Sequence, residues 1–160
     1  MKPEIIKISQ ISPDQSVVCI IGSDHIPEWL NLTKQEAGFA KSQLKTKEEY
    51  IFINSYNRFI YLIRLKDMPV QYKVREELRR TSYNLRKLIK ENNHSELVIT
   101  SEKSYNGAIE DFTEGLVLSL YSFDKYKTKQ GKDDKKKLSI QDSAAWRYCR
   151  YRDQVAYRSY

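Results

Sequence analysis

Val17-Val18-Cys19-Ile20-Ile21 places five apolar residues in a row, four of them β-branched. Branching at Cβ favours extended backbone and packs well on a pleated surface. A strand with one wet face alternates apolar and polar residues. An unbroken apolar run instead suits a strand covered on both faces. Within such a run Cys19 reads as a buried, inert thiol.

The neighbouring segments supply the rest of the pattern. Ser12-Pro13-Asp14-Gln15 is turn chemistry, and Ile5-Ile6-Lys7-Ile8 upstream reads as a short first strand. Gly22-Ser23-Asp24 ends the central run. Thr33-Lys34-Gln35-Glu36 has capping-box spacing and starts a helix whose inner stripe is Ala37, Ala40 and Leu44. Gly38 weakens that helix slightly. Tyr50-Ile51-Phe52-Ile53 and Phe59-Ile60-Tyr61-Leu62-Ile63 are strands joined by a hairpin turn at 54–58.

Val74, Leu78, Thr81, Leu85, Leu88 and Ile89 recur at steps of three and four, predicting a helix over Val74–Glu91. Arg75, Arg79, Arg86, Lys87 and Lys90 fall mostly off that stripe and are expected to reach water. Asn92-Asn93-His94 stops the helix, and Leu97-Val98-Ile99 is a buried-type strand. Ile109, Phe112, Leu116, Leu120 and Phe123 give a second apolar stripe over Asn106–Tyr126. Gly115 lies within it, where a missing side chain lets another backbone approach. Strands alternating with helices predict an α/β fold, a layered sheet flanked by helices. The adjacent strands around Asn54 make that sheet mixed.

Charge divides the chain unevenly. Residues 1–124 hold 17 Lys+Arg and 17 Asp+Glu, whereas residues 125–160 hold 11 Lys+Arg and 4 Asp. The net charge of +7 therefore belongs to the tail, which argues against a nucleic-acid-binding body. Residues 128–137 read as a basic mobile loop, Leu138-Ser139-Ile140 as a last strand, and 142–160 as a linker-type helix with a poor apolar stripe. No apolar stretch has membrane-spanning length and no signal-peptide pattern opens the chain, so a cytoplasmic protein is expected.

Chemical motifs are sparse. His25 and His94 are single residues beside loops and read as ordinary surface or loop histidines. Glu110, Asp111 and Glu114 offer a paired-carboxylate site, but the acidic first half of a helix is usually a solvated end favoured by the dipole. No serine has a nucleophile-elbow context. With 5 glycines and no Gly-rich loop, neither a P-loop nor a dinucleotide fingerprint is present.

Glu114-Gly115-Leu116-Val117-Leu118-Ser119-Leu120-Tyr121-Ser122-Phe123-Asp124-Lys125-Tyr126-Lys127 resembles the segment that closes the N-terminal domain of leucyl (cytosol) aminopeptidases. The family pattern falls on Glu114, Gly115, Leu120, Tyr121, Phe123, Tyr126 and Lys127. The order of elements across residues 15–130 is similar as well. The resemblance implies an N-terminal-like domain over 1–127 with a macro-domain-like fold. In the family this domain is non-catalytic, supports oligomer assembly and helps shape access to the active sites. Zn or Mn is held by a separate catalytic domain bearing an N-T-D-A-E-G-R signature, which this sequence does not contain. The chain departs from the family at its end, where Arg152-Asp153-Gln154-Val155 keeps only part of the expected linker.

The expectation that follows is a non-catalytic scaffold domain with no catalytic residue, metal or cofactor of its own. Its partners would be further copies of itself or a peptidase catalytic domain. A nucleic-acid module is the alternative. Lys129, Lys132, Lys135, Lys136, Lys137, Arg147, Arg150 and Arg152 would neutralise phosphates, and Tyr148, Tyr151 and Tyr157 would stack on bases. A second alternative is a macro-type module binding a small ligand such as ADP-ribose, on fold analogy alone.

Overall fold

A computed structural model describes residues 4–8, 10–22, 25–46, 48–66, 68–94, 96–102, 107–120 and 137–140. The strands are β1 (Glu4–Lys7), β2 (Val17–Ile21), β3 (Tyr50–Asn54), β4 (Phe59–Arg64), β5 (Glu96–Ser101) and β6 (Lys137–Ile140). The helices are α1 (Lys34–Leu44), α2 (Gln71–Glu91) and α3 (Ala108–Leu120), and one 3-10 turn spans Glu28–Leu30. The strands form one sheet in the order β1-β6-β5-β2-β4-β3. Among the described strands only β3 runs antiparallel to its neighbour; the other pairings are parallel.

β2 lies between β4 and β5, and all five of its residues are buried. Its side chains divide by the two-residue period of a strand. Val18 and Ile20 join Tyr61, Ile63, Leu97 and Ile99 under α2 and α3. Val17, Cys19 and Ile21 join Ile60, Leu62 and Val98 under α1 and the 3-10 turn. The architecture is therefore mixed α/β in three layers, as the unbroken apolar run implied.

Local chemistry accounts for the helix ends. The Thr33 hydroxyl accepts from the Glu36 N–H at 3.2 Å, and Glu36 accepts from the Thr33 N–H at 2.8 Å, completing the capping box. α2 starts at Gln71, earlier than its stripe indicates, because Gln71, Tyr72 and Lys73 are exposed and carry no apolar signal. It ends where Asn93 turns left-handed, at φ 48°. The Pro13 turn closes with the Gln15 N–H donating to Ser12 O at 3.1 Å.

The helix expected over 106–126 is described as Ala108–Leu120; residues 121–126 and the helix expected over 142–160 lie outside the described residues. The last strand starts one residue earlier than expected, at Lys137, so the basic loop read over 128–137 gives up that residue to the sheet. β6 enters the sheet between β1 and β5. Among the described residues no helix is long and apolar enough to cross a membrane.

Candidate functional site

The chain leaves β2 toward β3 and β4, then crosses back through α2 to β5 on the other side of β2. Strand order thus reverses at the β2/β5 junction. The crevice outside the carboxyl ends of such strands is where open α/β sheets take ligands. Trp29 and Glu102 meet there, the indole N–H donating to Glu102 Oε1 at 3.0 Å. The Glu102 N–H is itself fixed to Ile20 O at 2.9 Å. The 3-10 turn that carries Trp29 is held from below, because the buried Arg58 guanidinium donates to Leu30 O. Trp29 remains 38% exposed, so the crest offers an aromatic surface beside a carboxylate.

Cys19 lies beneath this crest. Burial pushes its thiol up to about 12, and the Glu102 charge adds to that effect. A thiol so protected is no nucleophile at neutral pH.

A second cluster joins α2 to α3. Arg79 Nη2 donates to Glu114 Oε2 at 2.6 Å and approaches Asp111 Oδ1 at 4.0 Å, and Arg75 Nε lies 3.1 Å from the same oxygen. Asp111 is buried, and burial raises its pKa despite Arg75 and Arg79. Among the described residues its second oxygen has no hydrogen-bond partner. Burial depresses the Arg79 guanidinium, but Glu114 and then Asp111 outweigh it and raise the pKa.

Two sequence expectations are corrected here. Asp111 and Glu114 are not a solvated helix end; they face α2. Arg79 does not reach freely into water, because α3 supplies its counter-charges. The signal was available in the spacing, since Arg75 and Arg79 are four apart while Asp111 and Glu114 are three apart. Trp29 and Glu102 carried no local signal, being 73 residues apart.

His94 is a further correction. It follows α2 as expected, but it is buried at 7% exposure, not an ordinary surface residue. Its Nε2 lies 2.7 Å from the Tyr61 hydroxyl, and its ring meets Phe59 and Tyr61 edge-on. Asn92 donates to the same hydroxyl at 2.9 Å. His25 is exposed. Among the described residues no group of three or more His, Cys, Asp or Glu could hold a metal ion.

Of the residues matched to the family segment, three are described. Glu114 pairs with Arg79, Gly115 packs against Arg79 and Ser82, and Leu120 is half-buried against the core. Tyr121, Phe123, Tyr126 and Lys127 lie outside the described residues. So do Lys129, Lys132, Lys135, Lys136, Arg147, Arg150 and Arg152, whereas Lys137 opens β6.

No family model and no curated relative matches the chain. Solved structures do. A tomato leucine aminopeptidase mutant superposes with a TM-score of 0.61 at 12% identity, covering 96% of this chain and 36% of that one. The macro domain of ganglioside-induced differentiation-associated protein 2 superposes with a TM-score of 0.58 at 12% identity, covering 92% of this chain and 81% of that one. The chain thus spans about a third of the aminopeptidase's length and most of the macro domain's. At this identity the likeness is one of fold, and the fold is mixed α/β, shared with a macro domain and with part of a leucine aminopeptidase.

Proposed function

We propose that this chain acts as a non-catalytic scaffold domain, similar to the part of a leucyl aminopeptidase that precedes its metal-binding domain. The supporting observation is the work done by Glu114 and Gly115, which head the family-like segment. Glu114 neutralises Arg79 across the helix pair, and Gly115 lets α3 approach the α2 backbone. Both residues serve packing. The fold likeness to the aminopeptidase adds support at the level of architecture. On this reading the functional parts of the chain are its surfaces, offered to another copy or to a peptidase catalytic domain.

The direct test is hydrolysis of a leucyl chromogenic amide by the purified chain with Mn²⁺ or Zn²⁺. No turnover above buffer is expected. Turnover that copurifies with the chain, disappears on chelation and returns with metal would overturn the proposal.

One observation favours a second reading, a small-ligand module of macro type. Trp29 presents a partly exposed ring beside Glu102 at the strand-order reversal, where this architecture takes ligands. Titration with ADP-ribose, followed by tryptophan fluorescence, separates the two. The scaffold reading expects no saturable change. A saturable change that is lost in Trp29→Phe would favour the ligand module. The nucleic-acid reading draws on the charge of the tail, and a binding constant with no salt dependence would discard it.

A further inference from the structure

His94 is buried at the turn between α2 and β5, and imidazole is the side chain that ordinarily changes charge between about pH 5 and 8. Its surroundings select one charge state. Nε2 lies 2.7 Å from the Tyr61 hydroxyl, and Asn92 Nδ2 donates to the same oxygen at 2.9 Å. A hydroxyl has a single proton to give. Asn92 approaches the oxygen as a donor, so the Tyr61 proton turns to His94 Nε2, which accepts it only when bare. That is neutral imidazole with its hydrogen on Nδ1. Protonation at Nε2 sets a second donor against the Tyr61 oxygen and removes the acceptor of the hydroxyl proton. It also leaves a charge among packed rings. Phe59 and Tyr61 meet the imidazole edge-on at 5.1 and 5.7 Å, and Phe52 stacks on both.

From β4 the ionisable group facing His94 is the Tyr61 phenol, which burial raises to about 12, so it keeps its proton in neutral and acidic solution. From β3, Tyr50 acts on Tyr61. α2 presents neutral Asn92 to the corner, while Lys90 and Glu91 are exposed and Glu91 lies 3.9 Å from Lys87. On β5, Glu96 has the parity of Val98, which faces the α1 side, whereas Tyr61 faces the α2 side.

We infer that the Tyr61–His94 contact is an acid-sensitive catch. Neutral His94 and Asn92 together fasten the α2–β5 turn to β4, and protonation of His94 in mild acid releases that turn while the core of the sheet stays folded. Both side chains converge on one hydroxyl, so one added proton disturbs the whole arrangement. The turn is also separable from the sheet. β5 pairs with β6 from Glu96 and with β2 from Val98, so residues 92–94 precede both ladders, and Asn93 there is left-handed at φ 48°.

The full chain carrying His25→Gln keeps His94 as its one imidazole, because the sequence has 2 histidines and His25 is exposed. Long-range proton–nitrogen NMR of that chain at pH 7 should show Nδ1 protonated and Nε2 bare. Between pH 7 and pH 5 the imidazole should become protonated. Amide exchange, corrected for its intrinsic rate, should then quicken by about tenfold at Asn92 and Asn93, whose N–H groups donate to Leu88 O and Lys90 O. The His94–Phe59 ring contact should fade with it, while amides of Val18 and Leu62 in the central strands keep their protection. His94→Gln retains an uncharged acceptor, so its exchange at Asn92 and Asn93 should be the same at both pH values. An Nε2 that carries hydrogen at pH 7, or an imidazole still neutral at pH 5, would overturn the inference. So would a protonated imidazole with the turn still protected, or an acid response that His94→Gln keeps.

Discussion

Gly115 on α3 lies against the backbone of Arg79 on α2, so closely that a Cβ at Gly115 would fall 2.9 Å from Arg79 Cα and 3.1 Å from its carbonyl oxygen. It would also fall 2.2 Å from Ser82 Oγ, which donates to that same carbonyl at 2.7 Å. A hydroxyl can rotate away; a helix backbone cannot. Gly115→Ala should therefore push the helices apart and cost about 1–3 kcal/mol, more than the ~1 kcal/mol gained in helix propensity. Gly38 is the internal control. It sits on the exposed face of α1 with nothing within 4 Å of its Cβ position, so Gly38→Ala should stabilise by about 0.5–1 kcal/mol. Urea unfolding of the two variants should move in opposite directions, and equal shifts would refute the close-approach account.

The ion pair beside that contact predicts coupling. Arg79 and Glu114 are partly shielded, with side-chain exposures of 33% and 18%. Removing Arg79 should cost about 1–3 kcal/mol, between the value of a surface pair and that of a fully buried one. Arg79→Met combined with Glu114→Met should recover part of the loss, because the orphaned carboxylate is removed too. A double-mutant cycle with coupling above about 0.5 kcal/mol would bear this out, while strictly additive losses would show that the pair contributes nothing.

Glu36 predicts an acid-side effect. Its carboxylate accepts from the Ser55 hydroxyl at 2.6 Å and from the Thr33 N–H, tying α1 to the β3–β4 hairpin. The Ser55 bond and then the Thr33 backbone bond lower its pKa. A lowered carboxylate contributes stability that is present above its unfolded value and lost as pH falls through the folded one. Glu36→Gln should thus be less stable than wild type at neutral pH and converge with it in acid, below the ordinary glutamate range. A constant gap between the two at all pH values would contradict the linkage. Thr33→Ala should cost about 1 kcal/mol by opening the same capping box.

Legibility in the sequence followed the range of each interaction. The unbroken run at Val17–Ile21, the capping box at Thr33 and the stripe from Val74 are local patterns, and each fixed an element correctly. Strand order was not legible, because the parallel pairings of β2 with β4 and β5 depend on crossovers, not on neighbouring residues. The Trp29–Glu102 contact at the crest is likewise made by tertiary structure alone. Misreadings arose where polarity was equated with exposure. Asp111, Glu114, Arg79 and His94 are polar yet shielded, since each meets a complementary group on another element. Sequence periodicity ranks residues by hydrophobicity and has no means of seeing such complements.

Tyr61 gives the last prediction, on the alkaline side. Its ring is buried between β3 and the end of α2, and its hydroxyl accepts from Asn92 while facing His94 Nε2. Since Asn92 supplies a donor, the hydroxyl's own proton is left for His94. Burial raises the phenol to about 12; the Asn92 bond opposes this and Tyr50 adds to it. An unfolded tyrosine ionises near pH 10. The folded protein therefore holds this proton more tightly, and the associated stability is complete below pH ~10 and disappears as pH climbs toward about 12. Tyr61→Phe keeps the ring, deletes the titrating group and removes the hydroxyl that His94 and Asn92 contact. It should cost about 1–2 kcal/mol at neutral pH and flatten the decline in stability above pH ~10. Thermal unfolding between pH 7 and 11 measures both effects. If the alkaline decline of the variant matches that of wild type, other tyrosines or lysines are responsible and the buried Tyr61–His94 contact is not the titrating element.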